Sequence, residues 1–95
     1  MSNVTFTIIT YDVRTSSRRL QVAKILESVG SRVQRSVFEA YLDERTMNRL
    51  IRRLEQKIDL ETDSIRIYTL CMTCRRQIRL IGQGKISRDE EVYVF

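Results

Sequence analysis

No histidine occurs anywhere in the 95 residues, and that absence removes the commonest general base and a frequent metal ligand. Any catalysis must run on carboxylates, hydroxyls, cysteines or a bound metal. Glycine is nearly as scarce, with three in all. No run matches a phosphate-binding loop, a dinucleotide fingerprint or a catalytic serine or cysteine triad. Long apolar runs are missing too, and none approaches the roughly 20 residues of a membrane span. Met1-Ser2-Asn3 lacks the basic start of a secretory leader, and Thr interrupts the apolar stretch that follows. The expectation is a soluble cytoplasmic protein with no membrane partner. Cysteine is confined to Cys71 and Cys74, a single C-x-x-C. A structural zinc would need further ligands from another copy, and a redox motif would need a thioredoxin-like setting. A pair of plain cytosolic thiols is the simpler reading.

What is present is basic. Lys plus Arg number 17 against 12 Asp plus Glu, a formal charge of +5, and Arg dominates. A guanidinium is a planar fork that holds phosphate oxygens two at a time. So Arg-rich a chain favours a polyanionic partner, although charge alone also serves solubility. The length suits one domain, spanning 1–95, and a hydrophobic share of 42% suits a modest core. Domains of this size bury a limited share of their surface, so dimerisation is a physical expectation.

The elements read as follows. Val4 to Tyr11 is rich in β-branched and aromatic residues and alternates as a strand requires, with Asp12 at its C-terminal edge. Thr15, Ser16 and Ser17 offer caps for a helix from about 16 to 29. Its buried face is Val22, Ile25, Leu26 and Val29, and Gly30 suits a positive-φ C′ position. Arg32 to Leu42 is β-rich, either one bent strand or a tight pair, with no Gly or Asn to mark a turn. Asp43 caps a second helix over about 44–57, with Met47, Leu50, Ile51, Leu54 and Ile58 on its apolar face. Arg45, Arg49, Arg52 and Arg53 fall on its polar face, to track phosphates or simply to be solvated. Ile65 to Leu70 is a further strand, Gly82-Gln83-Gly84 a turn, and Val92 to Phe95 a terminal strand without a local partner. An unpaired edge invites another protomer's sheet. This order is that of an α+β, ferredoxin-like βαββαβ fold, an antiparallel sheet with two helices on one face.

At Asp12 a carboxylate stands next to Arg14, Arg18 and Arg19. It can ligate a hard divalent cation, or simply cap or pair with Arg. One carboxylate makes a poor site; two copies brought together across a dimer axis make a better one. Phe38 and Tyr41 suit base stacking or the core.

Three landmarks, in order, carry a resemblance. Tyr11-Asp12-Val13 closes a strand and Arg18-Arg19-Leu20 opens a helix. The run Gly30-Ser31-Arg32-Val33-Gln34-Arg35-Ser36-Val37-Phe38-Glu39 follows. Asp63-Ser64-Ile65-Arg66-Ile67-Tyr68-Thr69-Leu70 is the third. Over roughly residues 4 to 74 the chain resembles the small CRISPR-associated "Cas two" proteins. The resemblance implies a ferredoxin-like homodimer in which the C-terminal strand, within about residues 80–95, is exchanged between protomers. It implies that Asp12 sits near the dimer axis as a ligand for Mg²⁺ or Mn²⁺. Tyr11, Asp12, Arg19, Arg32 and Phe38 take catalytic positions. Arg14, Arg18, Arg19, Arg32 and Arg35 take nucleic-acid-binding ones, with the choice between Arg18 and Arg19 open. Members act at the spacer-acquisition stage of CRISPR adaptive immunity and are described as metal-dependent endonucleases acting on RNA or DNA. They also form the centre of a complex with the CRISPR integrase ("Cas one"), with duplex DNA lying across them. The resemblance therefore leaves two readings, a nuclease and a non-catalytic adaptor.

Overall fold

Side-chain alternation sets the sheet. The computed structural model describes residues 4–84 and 86–87. In β1 (Thr5–Asp12), Thr7, Ile9 and Tyr11 are buried on one face, and Phe6 is buried on the other. Period-two geometry sends neighbouring side chains to opposite faces. The helix α1 (Ser16–Glu27) starts where Thr15, in an extended conformation, accepts a hydrogen bond from the Arg18 amide. Such a side-chain cap satisfies one of the free amides of the first turn. Its Val22, Ala23, Ile25 and Leu26 are buried.

The middle segment is a hairpin, β2 (Ser31–Gln34) and β3 (Val37–Leu42), joined through Arg35 and Ser36. No non-glycine residue among the described ones has positive φ, so this turn is not one of the mirror-image types that call for Gly or Asn. The register instead shifts between Arg32 and Gln34, leaving Val33 as a bulge. Bulges add twist and let a short connection close. Gly30 departs from expectation. Among the described residues, positive φ is confined to Gly82 and Gly84. Gly30 is needed for space: a Cβ there would lie 2.4 Å from the Glu39 carbonyl oxygen and 2.8 Å from the Ala40 Cβ. The chain passes directly against β3 as it leaves α1.

Asp43 caps α2 (Glu44–Glu55) by accepting from the Thr46 amide at 2.7 Å, and Leu50 and Leu54 are buried. The strand β4 (Ser64–Leu70) completes the sheet, and α3 (Met72–Arg76) follows it. The sheet order is β2-β3-β1-β4, and every pairing is antiparallel. That is the ferredoxin-like arrangement, with α1 and α2 against one face.

The main core lies between that face and the helices. It joins Ile9, Tyr11, Phe38, Ala40 and Leu42 to Val22, Leu26, Leu50 and Leu54. On the second face Phe6 and Tyr41 sit directly opposite each other, ring centroids 5.3 Å apart. Val4, Ile8, Leu70, Ile78 and Ile86 pack around them. The expected terminal strand, Val92 to Phe95, and its exchange between protomers lie outside the described residues. No described helix is long and apolar enough to cross a membrane.

Candidate functional site

The end of β1 gathers the chemistry. The Tyr11 amide donates to the Ser36 carbonyl at 3.1 Å, and its phenol donates to the Arg35 carbonyl at 3.2 Å. These bonds pin the β2–β3 turn beside Asp12. Val13 is buried and anchors the chain as it turns toward α1. Its carbonyl accepts from Arg19 Nη1 at 2.7 Å, which orients the Arg19 guanidinium back toward the strand end.

The result is an open cleft of about 500 Å³ lined by Tyr11, Asp12, Arg19, Arg32 and Arg35, with Ser16 and Ser36 among its walls. Asp12 is exposed in it. Arg32 stands across from Phe38 in the β2–β3 register, its guanidinium carbon 5.2 Å from the ring centroid. Phe38 is fully buried, and Tyr11 lies against it at a centroid distance of 6.2 Å. Phe38 therefore reaches the cleft through Arg32 and offers no face for a base to stack on. Arg32 also meets Glu27 at 3.4 Å, with both side chains exposed; such a contact contributes little and leaves the guanidinium free to exchange partners.

Arg18 and Arg14 are placed differently. Arg18 donates to the Asp63 carboxylate from Nε at 2.8 Å and Nη2 at 3.2 Å. The same carboxylate accepts the Arg14 amide and the Asp59 amide, each at 2.9 Å. The Arg18 hydrogen bond, with those amides, holds the Asp63 carboxyl well below the usual carboxylate range. Arg14 also donates from Nε to the Thr62 carbonyl. These two arginines tie the β1–α1 loop to the segment before β4. Arg19, Arg32 and Arg35 are the ones that share the cleft with Asp12.

A second recess of about 240 Å³ opens on the other side of Asp12, lined by Thr10, Tyr11, Asp12, Ser64, Arg66 and Tyr68. Asp12 pairs with Ser64, and Thr10 with Arg66. Arg66 and Tyr68 were not among the expected site residues. Their signal is register: alternate β4 residues share the Asp12 face, but only once the β1–β4 pairing is known.

Among the described residues, no group of three or more His, Cys, Asp or Glu side chains comes together to hold a metal. Among the described residues that line the cleft, Asp12 is the one carboxylate. That donor set suits a cation such as Mg²⁺, which commonly binds through one or two carboxylates with the rest of its shell from water and substrate phosphate. It does not suit a closed protein cage.

Fold and cleft define a small ferredoxin-like α+β domain that sets one acidic group among guanidiniums at a strand end. The model of the family described as CRISPR associated protein Cas2 matches residues 5–78, and the chain belongs to that family. It is similar to the CRISPR-associated endoribonuclease Cas2 1 of Chloroflexus aurantiacus, 46% identical over 91 residues that cover 94% of this chain and 98% of the relative. It is also similar to the CRISPR-associated endonuclease Cas2 2 of Thermus thermophilus, at 41% identity, covering 90% of this chain and 91% of the relative. Among solved structures, Streptococcus pyogenes Cas2 superposes with a TM-score of 0.72 at 38% identity, covering 81% of this chain and 99% of the other. A chain of a partial Cas6-RT-Cas1–Cas2 complex superposes with a TM-score of 0.57 at 25% identity, covering 81% and 90%.

Proposed function

We propose that the protein works at the spacer-acquisition stage of CRISPR immunity as a divalent-metal-dependent endonuclease that hydrolyses RNA phosphodiester bonds. The observation that supports this most is the cleft that gathers Asp12 with Arg19, Arg32 and Arg35. A carboxylate among guanidiniums that no buried ion pair holds suits a cation and a phosphate side by side, as phosphoryl chemistry requires. Relatives carry the names endoribonuclease and endonuclease.

In this reading Asp12 is the residue that holds Mg²⁺ or Mn²⁺. When bound, the ion supplies positive charge beside a phosphoryl oxygen and acidifies the attacking water. Arg19, oriented by the Val13 carbonyl, and Arg32, braced on Phe38, grip the non-bridging oxygens and orient the phosphate. Arg35 extends that grip along the backbone. Tyr11 holds the turn that carries Arg35. None of these contacts reads a base, so the cleft binds by backbone rather than by sequence. A homodimer that brings two Asp12 side chains together supplies a second carboxylate to a cleft whose described lining holds one.

The test is Asp12→Asn, whose side chain keeps its volume and loses its charge. Mg²⁺-dependent cleavage of single-stranded RNA is expected to fall to background while the variant stays folded. Equal cleavage by variant and wild type would sink the assignment and point to a contaminating nuclease.

The name of the complex containing Cas1 and Cas2 favours a second reading, an adaptor that joins integrase subunits and grips duplex DNA. Spacer acquisition then survives Asp12→Asn, because a scaffold needs no cleavage. Loss of acquisition in that folded variant would count against the adaptor reading.

A further inference from the structure

Cys71 and Cys74 lie at the far end of β4 from the Asp12 cleft, where the chain turns into α3. Both thiols are exposed and free. The Cys71 sulfur accepts the Cys74 amide at 3.4 Å. Cys71 caps the first turn of α3 and Cys74 lies within that turn, so the two thiols stand one turn of backbone apart. That arrangement makes them chemically unequal. The Cys74 amide first, then the Cys74 thiol and the charge of Arg76, favour the thiolate at Cys71 and hold its pKa below the ordinary value. The Cys74 thiol is pushed up, chiefly by the neighbouring Cys71 side chain. A more acidic thiol beside a less acidic one is the layout of an attacking and a resolving cysteine.

We propose that Cys71 and Cys74 form a thiol–disulfide exchange site for low-molecular-weight disulfides, with Cys71 attacking and Cys74 resolving. The Cys71 thiolate attacks one sulfur of the small disulfide. The S–S bond of that molecule breaks, and one half leaves as a thiolate that takes up a proton. Cys74 then releases its proton and attacks the Cys71 sulfur. The mixed disulfide breaks, and the second half leaves and is protonated. The protein is oxidised by two electrons to an internal disulfide, and the small disulfide is reduced to two thiols. The site is separate from the Asp12 cleft and stands whether or not the chain cleaves nucleic acid.

Closing the bridge cross-links the first turn of α3. The same helix carries Arg75, whose guanidinium lies 5.4 Å from the Phe6 ring centroid and 5.7 Å from that of Tyr41. Arg75 also donates to the Ser87 carbonyl, as does the Tyr41 phenol. The redox state of the pair therefore acts on the element that covers the second face of the sheet.

The experiment incubates the whole reduced chain with oxidised glutathione and follows its intact mass. Wild type is expected to lose two hydrogens and keep no adduct. Cys74→Ser is expected to stop at one glutathione adduct, mapped to Cys71. Cys71→Ser, which retains a capping oxygen, is expected to react about tenfold more slowly. Circular dichroism establishes that both variants are folded. Equal adduct rates in the two folded variants overturn the proposal. So do stable adducts on both cysteines of wild type, or a wild type that does not react.

Discussion

Arg18 and Asp63, 45 residues apart, are joined by two hydrogen bonds of 2.8 and 3.2 Å, with the carboxylate side chain fully buried. The pair separates two arginines that are neighbours in sequence. Arg18 spends its guanidinium on the fold, whereas Arg19 turns to the cleft. Breaking one partner of such a pair strands the other. Arg18→Gln is expected to lower the melting temperature by several degrees and to leave cleavage per folded molecule near wild type. Arg19→Gln is expected to do the reverse, with a smaller thermal effect and at least about a tenfold loss of Mg²⁺-dependent cleavage. Thermal melts paired with RNA cleavage on both variants decide it, and a large activity loss confined to Arg18→Gln would reverse the assignment.

The same carboxylate sets a pH dependence. Asp63 is depressed first by the Arg18 hydrogen bond and then by the amides of Arg14 and Asp59. Asp43 is depressed by the Thr46 hydrogen bond at the start of α2. With folded values below unfolded ones, the unfolded chain binds more protons in acid. The stabilisation is full above the unfolded carboxylate range, near pH 4, and is lost as pH falls from there toward the folded values. Urea midpoints are expected to hold steady near neutrality and to drop below about pH 4. Asp63→Asn should start lower and show a shallower acid decline. An unchanged slope in that variant would assign the acid sensitivity elsewhere.

Much of the fold was legible because period and caps agreed. Thr15 and Asp43 announce α1 and α2, and the β-branched runs announce β1, β3 and β4. The hairpin was open because its turn uses no positive φ and takes up its twist at the Val33 bulge, which leaves no Gly or Asn to read. Gly30 was legible as a required glycine, but its reason is the approach of β3, a contact nine residues away. The place of Tyr11 and Asp12 at the end of β1 was legible from the alternation of that strand. The different placements of Arg18 and Arg19 depend on Asp63, and those of Arg66 and Tyr68 on the β1–β4 register. Both are long-range facts that spacing does not contain.

Phe38 and Arg32 yield a prediction that separates support from contact. Phe38 is fully buried beneath a guanidinium. Phe38→Ala is expected to cost about 3–5 kcal/mol of stability, as cavities left by aromatic truncation do. Phe38→Leu keeps most of the volume and should cost less than about 1.5 kcal/mol. It removes the ring under Arg32, a contact worth about 0.5–1 kcal/mol at exposed sites. The folded Phe38→Leu variant is therefore expected to weaken RNA binding a few-fold, and Arg32→Ala to weaken it at least as much with little change in stability. Denaturant titration and RNA binding on the two variants measure both terms. Wild-type binding by Phe38→Leu would reduce Phe38 to a core residue.

The outer face of α2 presents Arg45, Arg49, Arg52 and Arg53, all exposed, and none of them forms an ion pair with another described residue. Arg45 with Arg49, and Arg49 with Arg53, stand at the i,i+4 spacing, where like charges destabilise a helix by about 0.2–0.5 kcal/mol per pair. Successive members of that row are about 6 Å apart along the axis. A polyanion laid along the row relieves the repulsion, and each phosphate neutralised on a duplex contributes about 0.9 to the slope of log affinity against log salt. The double variant Arg49→Ala, Arg53→Ala is expected to lower that slope by nearly two and to weaken binding alike for unrelated duplex sequences. Its stability should rise slightly, because the like-charge pairs are gone and Ala is the better helix former. Fluorescence anisotropy across a salt series, with thermal melts beside it, tests both halves. A slope equal to wild type would leave the row as a solvated face and place the phosphate contacts elsewhere on the protein.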